Sequence, residues 1–370
     1  MLLALLAPIF WLGVGVVFTP LTDVRSDCSL SGALAIDFSN SKDGIVGGAG
    51  TISSTHDGGD TWNVAYRQSL FGSLAGTEFF HEVDAGNEEM AFAASYRALL
   101  KSEDRGDSWR PLFESNAETV HWFEFRPPEA VVLLTSDQVK VSPDGGESWS
   151  DVQLPPSALR HAWSVCMFGE RLVLGCDNGD VYTTEEPGAA WELRRSGECT
   201  LPAHTPSHLR RPSKEMLVVN ALSIDPSGTG FAVDWTGGVF RTDDGGLSWT
   251  TVRCPLMVYG WAPKDSRLPG RTAADSFVGG YPRRSVVVDA SRVFLLAEAK
   301  LYYTVDGGSE WRQASVLEDD GSPSTANYFG VSVVDESVGW LIAMAGELYR
   351  TEDGGASWRR MSYRIAPGLQ

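Results

Sequence analysis

The residues best suited by type and spacing to do chemistry are basic. One group, Arg194, Arg195, Arg210, Arg211 and Lys214, falls in a stretch from about 194 to 214 that also carries His204 and His208. A second, Lys264, Arg267, Arg271, Arg283 and Arg284, falls within about 256–285 beside Tyr259, Trp261 and Tyr281. Together they hold ten of the chain's 30 Lys and Arg, in a protein with 48 Asp and Glu and a formal net charge of −18. Guanidinium groups make forked, charge-assisted hydrogen bonds to carboxylates. Arg beside Tyr and Trp is also the composition of binding hot spots. The expected chemistry is recognition of an acidic peptide or protein subunit. The alternative is a pair of solvated loops that are basic by composition alone. The overall acidity disfavours nucleic-acid binding, which needs a basic footprint.

Other constellations carry less. Cys199, His204 and His208 have a metal-like spacing, but they offer three candidates in a Pro-rich segment without helix signals and read as a solvated loop. No metal and no cofactor is expected. Five Cys (Cys28, Cys166, Cys176, Cys199, Cys254) show no CxxC spacing, and the odd number leaves one unpaired within a monomer. Cys166 and Cys176 fall on neighbouring strands of one repeat and are expected as buried free thiols. Neither G-x-S-x-G nor H-E-x-x-H occurs. A glycosidase needs two carboxylates about 5–10 Å apart. With 48 acidic residues some pair meets that by chance, so a glycan-binding or glycan-cleaving protein stays open as the alternative function.

These residues are positioned by a repeat. The pattern [ST]-x-D-x-G-x-x-W recurs seven times, ending at Trp62, Trp109, Trp149, Trp191, Trp249, Trp311 and Trp358. Its acidic residues are Asp57, Asp104, Asp144, Glu186, Asp244, Asp306 and Asp353, the fourth copy having Glu for Asp and Pro187 after it. Periodicity of this kind marks an array of one supersecondary unit. In each copy the hydroxyl and carboxylate can accept from main-chain N–H groups of a tight turn. The Gly two residues after the acid permits a positive φ. The Trp then opens the next strand with a large apolar ring, a contribution of about 4–6 kcal/mol if fully buried. The acidic residues are expected to hold turns rather than metal, since the distal Glu of a calcium loop is missing. Arg105-Gly106-Asp107 spells an adhesion tripeptide, but its Gly is the one the turn requires.

Four strand signals precede and follow each turn. In the first repeat they are 33–39, 45–48, 51–55 and 62–66; in the fifth 221–225, 230–234, 239–242 and 249–253; in the seventh 329–334, 339–343, 347–351 and 358–363. Short strands at regular spacing with no sustained 3.6-residue period predict an all-β protein. Seven four-stranded repeats predict a single seven-bladed β-propeller over residues 25–370. The last repeat has its own fourth strand, so closure need not borrow one from the amino terminus. Both basic stretches join a fourth strand to the next first strand, which puts them on one face, flanking one blade, opposite the acidic turns.

The repeated turn, as in Thr55, Asp57, Gly59 and Trp62, resembles that of the Asp-box (BNR-repeat) propellers. A copy in every blade, with 35–48 and 331–340 as first-strand pairs, is most similar to the photosystem II stability/assembly factor family. That resemblance implies a non-enzymatic propeller that binds a protein partner during assembly of a membrane complex. Sialidases of the same superfamily use three Arg, a Tyr/Glu pair and an [FY]-R-[IL]-P motif before the first box. Here only Arg25 precedes the first box, and Phe125-Arg126-Pro127-Pro128 lies in the third repeat.

Residues 2–18 are an uncharged apolar run at the short end for a membrane span. Residues 1–24 are therefore expected as a signal or anchor segment, placing the protein on the exported side of a membrane or anchored to it, in periplasm, thylakoid lumen or outside the cell. The competing expectation is a mis-set start or a strand, Gly13–Phe18, packed on the propeller.

Overall fold

The computed structural model describes residues 30–68, 77–87, 89–159, 161–196, 219–234, 238–252, 282–297 and 300–366. The apolar run 2–18, Cys28, Cys199, Cys254 and the basic-stretch residues Arg210, Arg211, Lys214, Trp261, Lys264, Arg267 and Arg271 lie outside them, and for Arg283 and Arg284 the backbone alone is described. All regular structure among the described residues is β-strand. Blade 1 is β1 (Ala33–Phe38), β2 (Gly44–Gly48), β3 (Thr51–Thr55) and β4 (Thr61–Arg67). Blade 2 is β5 (Glu82–Asp84), β6 (Ala91–Ala94), β7 (Ala98–Ser102) and β8 (Arg110–Glu114). Blade 3 is β9 (Val120–Arg126), β10 (Ala130–Thr135), β11 (Gln138–Ser142) and β12 (Ser150–Gln153). Blade 4 is β13 (Ala162–Phe168), β14 (Arg171–Cys176), β15 (Val181–Thr184) and β16 (Glu192–Arg195). Blade 5 is β17 (Val219–Ile224), β18 (Gly230–Asp234), β19 (Val239–Thr242) and β20 (Thr250–Val252). Blade 6 is β21 (Pro282–Val287), β22 (Val293–Ala297), β23 (Lys300–Thr304) and β24 (Arg312–Gln313). β25 (Ser315–Leu317) then crosses to blade 7, which is β26 (Tyr328–Val333), β27 (Gly339–Ala343), β28 (Leu348–Thr351) and β29 (Ser357–Met361); β30 (Arg364–Ile365) ends the series.

Within each blade the strands are antiparallel and in chain order from the axis outward. Each first strand contacts the first strands of both neighbouring blades, and β26 meets β1, so the ring is closed. The seventh blade supplies its own fourth strand, as expected. The ends add something the repeat pattern did not announce. β30 joins the outer edge of blade 1, parallel to β4, and β25 joins the outer edge of blade 7, parallel to β29. The join is reinforced by Leu30, whose N–H donates to the Tyr363 hydroxyl at 3.1 Å. Apolar residues at alternate strand positions fill the wedges between blades; one such core joins blades 6 and 7 through Phe294, Tyr328, Leu341 and Trp358.

The recurring turns have the expected chemistry. The Thr55 hydroxyl accepts from Gly59 N–H at 3.0 Å, and Asp57 Oδ1 accepts from Thr61 N–H at 2.8 Å. The same pair of contacts recurs at Asp104, Asp144, Asp244, Asp306 and Asp353. Burial works to raise these carboxyls. Hydrogen bonds from the turn outweigh it and hold Asp57, Asp104, Asp244, Asp306 and Asp353 below the ordinary range. Asp144 is pulled to about 2 by Ser148 and then Ser142. Their contribution to stability is present above the usual carboxylate pKa and is lost as pH falls through the depressed values.

A second tie explains the position after the acid. In six turns its N–H donates to the hairpin joining the blade's first two strands, as Gly58 N to Lys42 O at 2.9 Å and Gly354 N to Ser337 O at 2.9 Å. That residue has φ between 62° and 76°, in Arg105 as well as the five glycines. In the fourth turn Pro187 stands there, with no N–H and no access to positive φ. The turn is rewired: Thr184 Oγ1 donates to the Glu186 carbonyl at 2.9 Å, and Trp191 Nε1 reaches back to Gln153 O in blade 3 at 2.8 Å.

The seven indoles are not equally buried. Trp62 and Trp358 are fully buried, whereas Trp109, Trp149, Trp191, Trp249 and Trp311 are half-buried. The two buried rings belong to the two blades covered by a fifth strand, where Ile365 pairs with Trp62 and Val316 with Trp358. Cys166 and Cys176 are buried free thiols on adjacent strands, but Cys166 pairs with Val173, three residues from Cys176, so strand alternation sends the two side chains into different interblade cores.

Candidate functional site

The face opposite the acidic turns is assembled from the two-to-three hairpins and the connections between blades. β16 ends and β17 begins on this face, as do β20 and β21, so both basic connections leave from and return to it. Arg194 and Arg195 are engaged within the fold. Arg194 Nε donates to Thr183 Oγ1 at 2.8 Å and its guanidinium pairs with Glu192 at 2.7 Å. Arg195 donates to Gly179 O and lies 3.5 Å over the Phe240 ring of blade 5.

This face also holds the mouth of the axial channel, built by a shared irregularity. In blades 1, 3, 4, 5, 6 and 7 the first strand begins with a one-residue bulge, at Leu34, His121, Trp163, Asn220, Arg283 and Phe329. A bulge kinks the strand and re-aims the extra side chain. The described side chains at these positions, Leu34, His121, Trp163 and Phe329, are half-exposed beside buried neighbours. His81 takes the equivalent place in blade 2 and stacks on Tyr96, with ring centroids 4.5 Å apart. His121 lies 5.6 Å from Trp163 of the next blade, and burial lowers its pKa. Arg283, one of the residues singled out by the sequence, is thus the bulge residue of blade 6, next to Arg284 in β21.

Three residues further along the first strands of blades 1, 2, 3, 5 and 7 is a polar layer: Asp37, Asp84, Glu124, Ser223 and Ser332. It serves the inner strand edge, whose N–H groups would otherwise lack partners. Asp37 Oδ2 accepts from Ala85 N–H of blade 2 at 2.8 Å, Glu124 Oε2 from Met167 N–H of blade 4 at 2.7 Å, and Ser332 Oγ from Phe38 N–H of blade 1 at 3.0 Å. The Ser332 hydroxyl donates to Asp37 Oδ1 at 2.8 Å. Arg126 pairs with Glu124 at 2.8 Å and donates to Ile224 O of blade 5. Phe125-Arg126-Pro127-Pro128 therefore lies at a strand end, as expected, with its Arg tying blades 3 and 5 together.

Burial first, and the Asp37 charge second, push the Asp84 carboxyl up to about 8. Burial also raises Glu124, against the opposing charge of Arg126. Because the folded Asp84 pKa lies above its unfolded value, between about pH 4 and pH 8 the folded protein holds a proton the unfolded chain has released. Stability therefore falls as pH rises through that window. Asp84→Asn is expected to stabilise the protein by on the order of 1–3 kcal/mol at pH 8 and to change little at pH 4, as read by urea denaturation at both pH values. An equal effect at both would show that Asp84 is ionised throughout. This layer was missed in the sequence; its signal is one polar residue recurring at the same place in otherwise apolar first strands.

No group of three or more His, Cys, Asp or Glu arranged to hold a metal forms among the described residues. Nor does any helix there have the length and apolarity to cross a membrane. No family model matches the chain, and no curated protein matches it. Solved structures do. "YCF48 bound to D1 peptide" has a TM-score of 0.58 at 17% identity, covering 88% of this chain and 94% of that one. YCF48 from Cyanidioschyzon merolae has a TM-score of 0.56 at 17% identity, covering 88% and 96%. An ancestral GH74 enzyme has a TM-score of 0.55 at 16% identity, covering 90% of this chain but 46% of the enzyme's. At such identities the likeness establishes the fold, a seven-bladed propeller.

Proposed function

We propose that the protein is a non-enzymatic, assembly-factor-like propeller that holds an acidic protein segment on the face bearing the channel mouth. The observation that carries this reading is topological. The strands flanking both long connections end and begin on that face, on either side of blade 5, and the two basic stretches hold ten of the cations of a chain of net charge −18. The structural similarity to YCF48 bound to D1 peptide supports a peptide partner for this scaffold. Long connections on a rigid ring are where binding residues concentrate. The apolar segment 2–18 would hold the propeller at a membrane, on its exported side.

Arg194 and Arg195 already have partners within blades 4 and 5, so the contact falls to Arg210, Arg211, Lys214, Trp261, Lys264, Arg267, Arg271, Arg283 and Arg284. Reversing charge at four of them, Arg210→Glu, Arg211→Glu, Arg283→Glu and Arg284→Glu, is expected to abolish capture of partners from native membranes, identified by mass spectrometry. Binding of a fluorescent poly-glutamate peptide should fall at least tenfold, with the urea midpoint unchanged. Undiminished binding in a folded variant would overturn the reading. The similarity to a GH74 enzyme supports the alternative of a glycan-cleaving propeller. Absence of turnover on sialosides and β-glucans would remove it.

A further inference from the structure

On the face of the acidic turns, each blade is tied to the next across the seam. Arg171 of blade 4 donates to Gly245 O of blade 5 at 3.1 Å, Arg241 of blade 5 to Gly307 O at 3.4 Å, and Arg292 of blade 6 to Asp335 O at 2.8 Å. Trp340 of blade 7 donates to Gly58 O of blade 1 at 2.9 Å and Arg110 of blade 2 pairs with Glu147 of blade 3, while the seam between blades 3 and 4 is tied further from the turns, by Trp191 to Gln153 O at the far end of β12. These donors keep their protons at any physiological pH. The seam between blades 1 and 2 is different. Its ties centre on His56, whose Nδ1 is 2.6 Å from Asp43 Oδ1 and whose Nε2 is 3.0 Å from Asp107 Oδ1, with the Ser54–Asp107 hydrogen bond and the Arg105–Asp43 ion pair crossing the seam beside it.

We infer that His56 is a proton-operated latch between blades 1 and 2. A carboxylate oxygen only accepts, so both ring nitrogens must carry hydrogen for both contacts to hold. A neutral imidazole has one N–H, and its bare nitrogen would face a carboxylate. The geometry therefore selects the imidazolium. The groups facing the ring agree with this. Asp43 and Asp107 supply two negative charges, and the neighbouring cation, Arg105, shares Asp43 Oδ1 with the ring at the longer distance of 3.7 Å. Ser54 Oγ donates to Asp107 Oδ1 at 3.1 Å and Asn40 Nδ2 to Asp43 Oδ2 at 2.9 Å, which hold the carboxylates in place without supplying the missing charge. Burial pulls the ring toward neutrality, but hydrogen bonds and charge from Asp107 and Asp43 outweigh it and raise the His56 pKa.

The sign follows. A folded pKa above the unfolded one gives stability that is complete below the unfolded value and is lost as pH rises through the folded value. The seam is closed in acid and loosens toward alkaline pH. It lies at blade 1, where the two ends of the described chain meet, so loosening it affects the blade on which the ring closes. This device is independent of the partner-binding face.

The test uses the full chain. Proton–carbon NMR, with the His56 signal assigned by its loss in His56→Gln, is expected to give a titration midpoint at least half a pH unit above the ordinary 6.5. Asp107→Asn should lower that midpoint and supplies a second variant with the imidazole retained. In urea, His56→Gln should unfold at lower denaturant than the unaltered protein at about pH 5.5, with the difference vanishing by about pH 9. A midpoint at or below 6.5, or a difference that is constant with pH, would overturn the latch.

Discussion

Trp358→Ala and Trp62→Ala are each expected to lower the free energy of unfolding by about 3–5 kcal/mol. Trp191→Ala should lower it by about 1 kcal/mol. All three residues occupy the same place in the repeated turn, so sequence pattern alone would assign them equal weight. The structure does not. Trp358 and Trp62 are fully buried under the fifth strands of blades 7 and 1, and their ring N–H groups donate to Gly355 O at 2.8 Å and Gly59 O at 3.0 Å. Truncation at either leaves a cavity that rigid strands on both sides hinder from collapsing. Trp191 is half-buried, so its loss removes mainly the bond to Gln153 and part of a ring contact. Urea denaturation of the three variants measures the ranking; equal losses would show that the fifth strands do not govern burial of the ring.

Gly355→Ala is expected to be the more damaging of a matched pair, costing about 2–5 kcal/mol against about 1–2 kcal/mol for Gly188→Ala. The two glycines have nearly the same backbone, with φ of 93° and 94°. Both substitutions therefore carry the same conformational cost of placing a side chain in the left-handed region. They differ in surroundings. A Cβ on Gly355 would lie 2.4 Å from Cε1 of Phe294, a fully buried ring of blade 6, whereas one on Gly188 meets nothing within 4 Å. The difference between the two unfolding free energies isolates the packing term. If it is zero, blade 6 yields at that seam, and Phe294 is not held as firmly as its burial implies.

Much of the fold was legible because a propeller writes itself in local signals. Strand period, turn glycines and the hydroxyl–carboxylate pair all act within ten residues. The strands expected at 230–234, 239–242 and 339–343 appear with those bounds. Pro187 could also be read as a departure, though the reason lay elsewhere: the position it occupies donates to a hairpin about fifteen residues upstream in the other turns, and only the folded blade brings the two together.

The candidate site was legible in part. That the basic connections share a face follows from strand count alone. Which of their arginines are available does not, since Arg195 is engaged by Phe240, a residue of the next blade. The channel layer of Asp37, Asp84 and Glu124 left a periodic trace but no local motif. Its chemistry arises only when seven first strands converge and each exposes an edge to its neighbour.

The sequence by itself thus determined the repeat, the turn chemistry, the seven-bladed closure and the face from which both long connections leave. Each of these depends on neighbours along the chain or on counting. The tertiary structure alone decided which indoles are buried, which carboxyl keeps its proton, and that His56 bridges Asp43 and Asp107. Those properties depend on burial and on charges brought together across seams between blades, and no spacing along the chain records them.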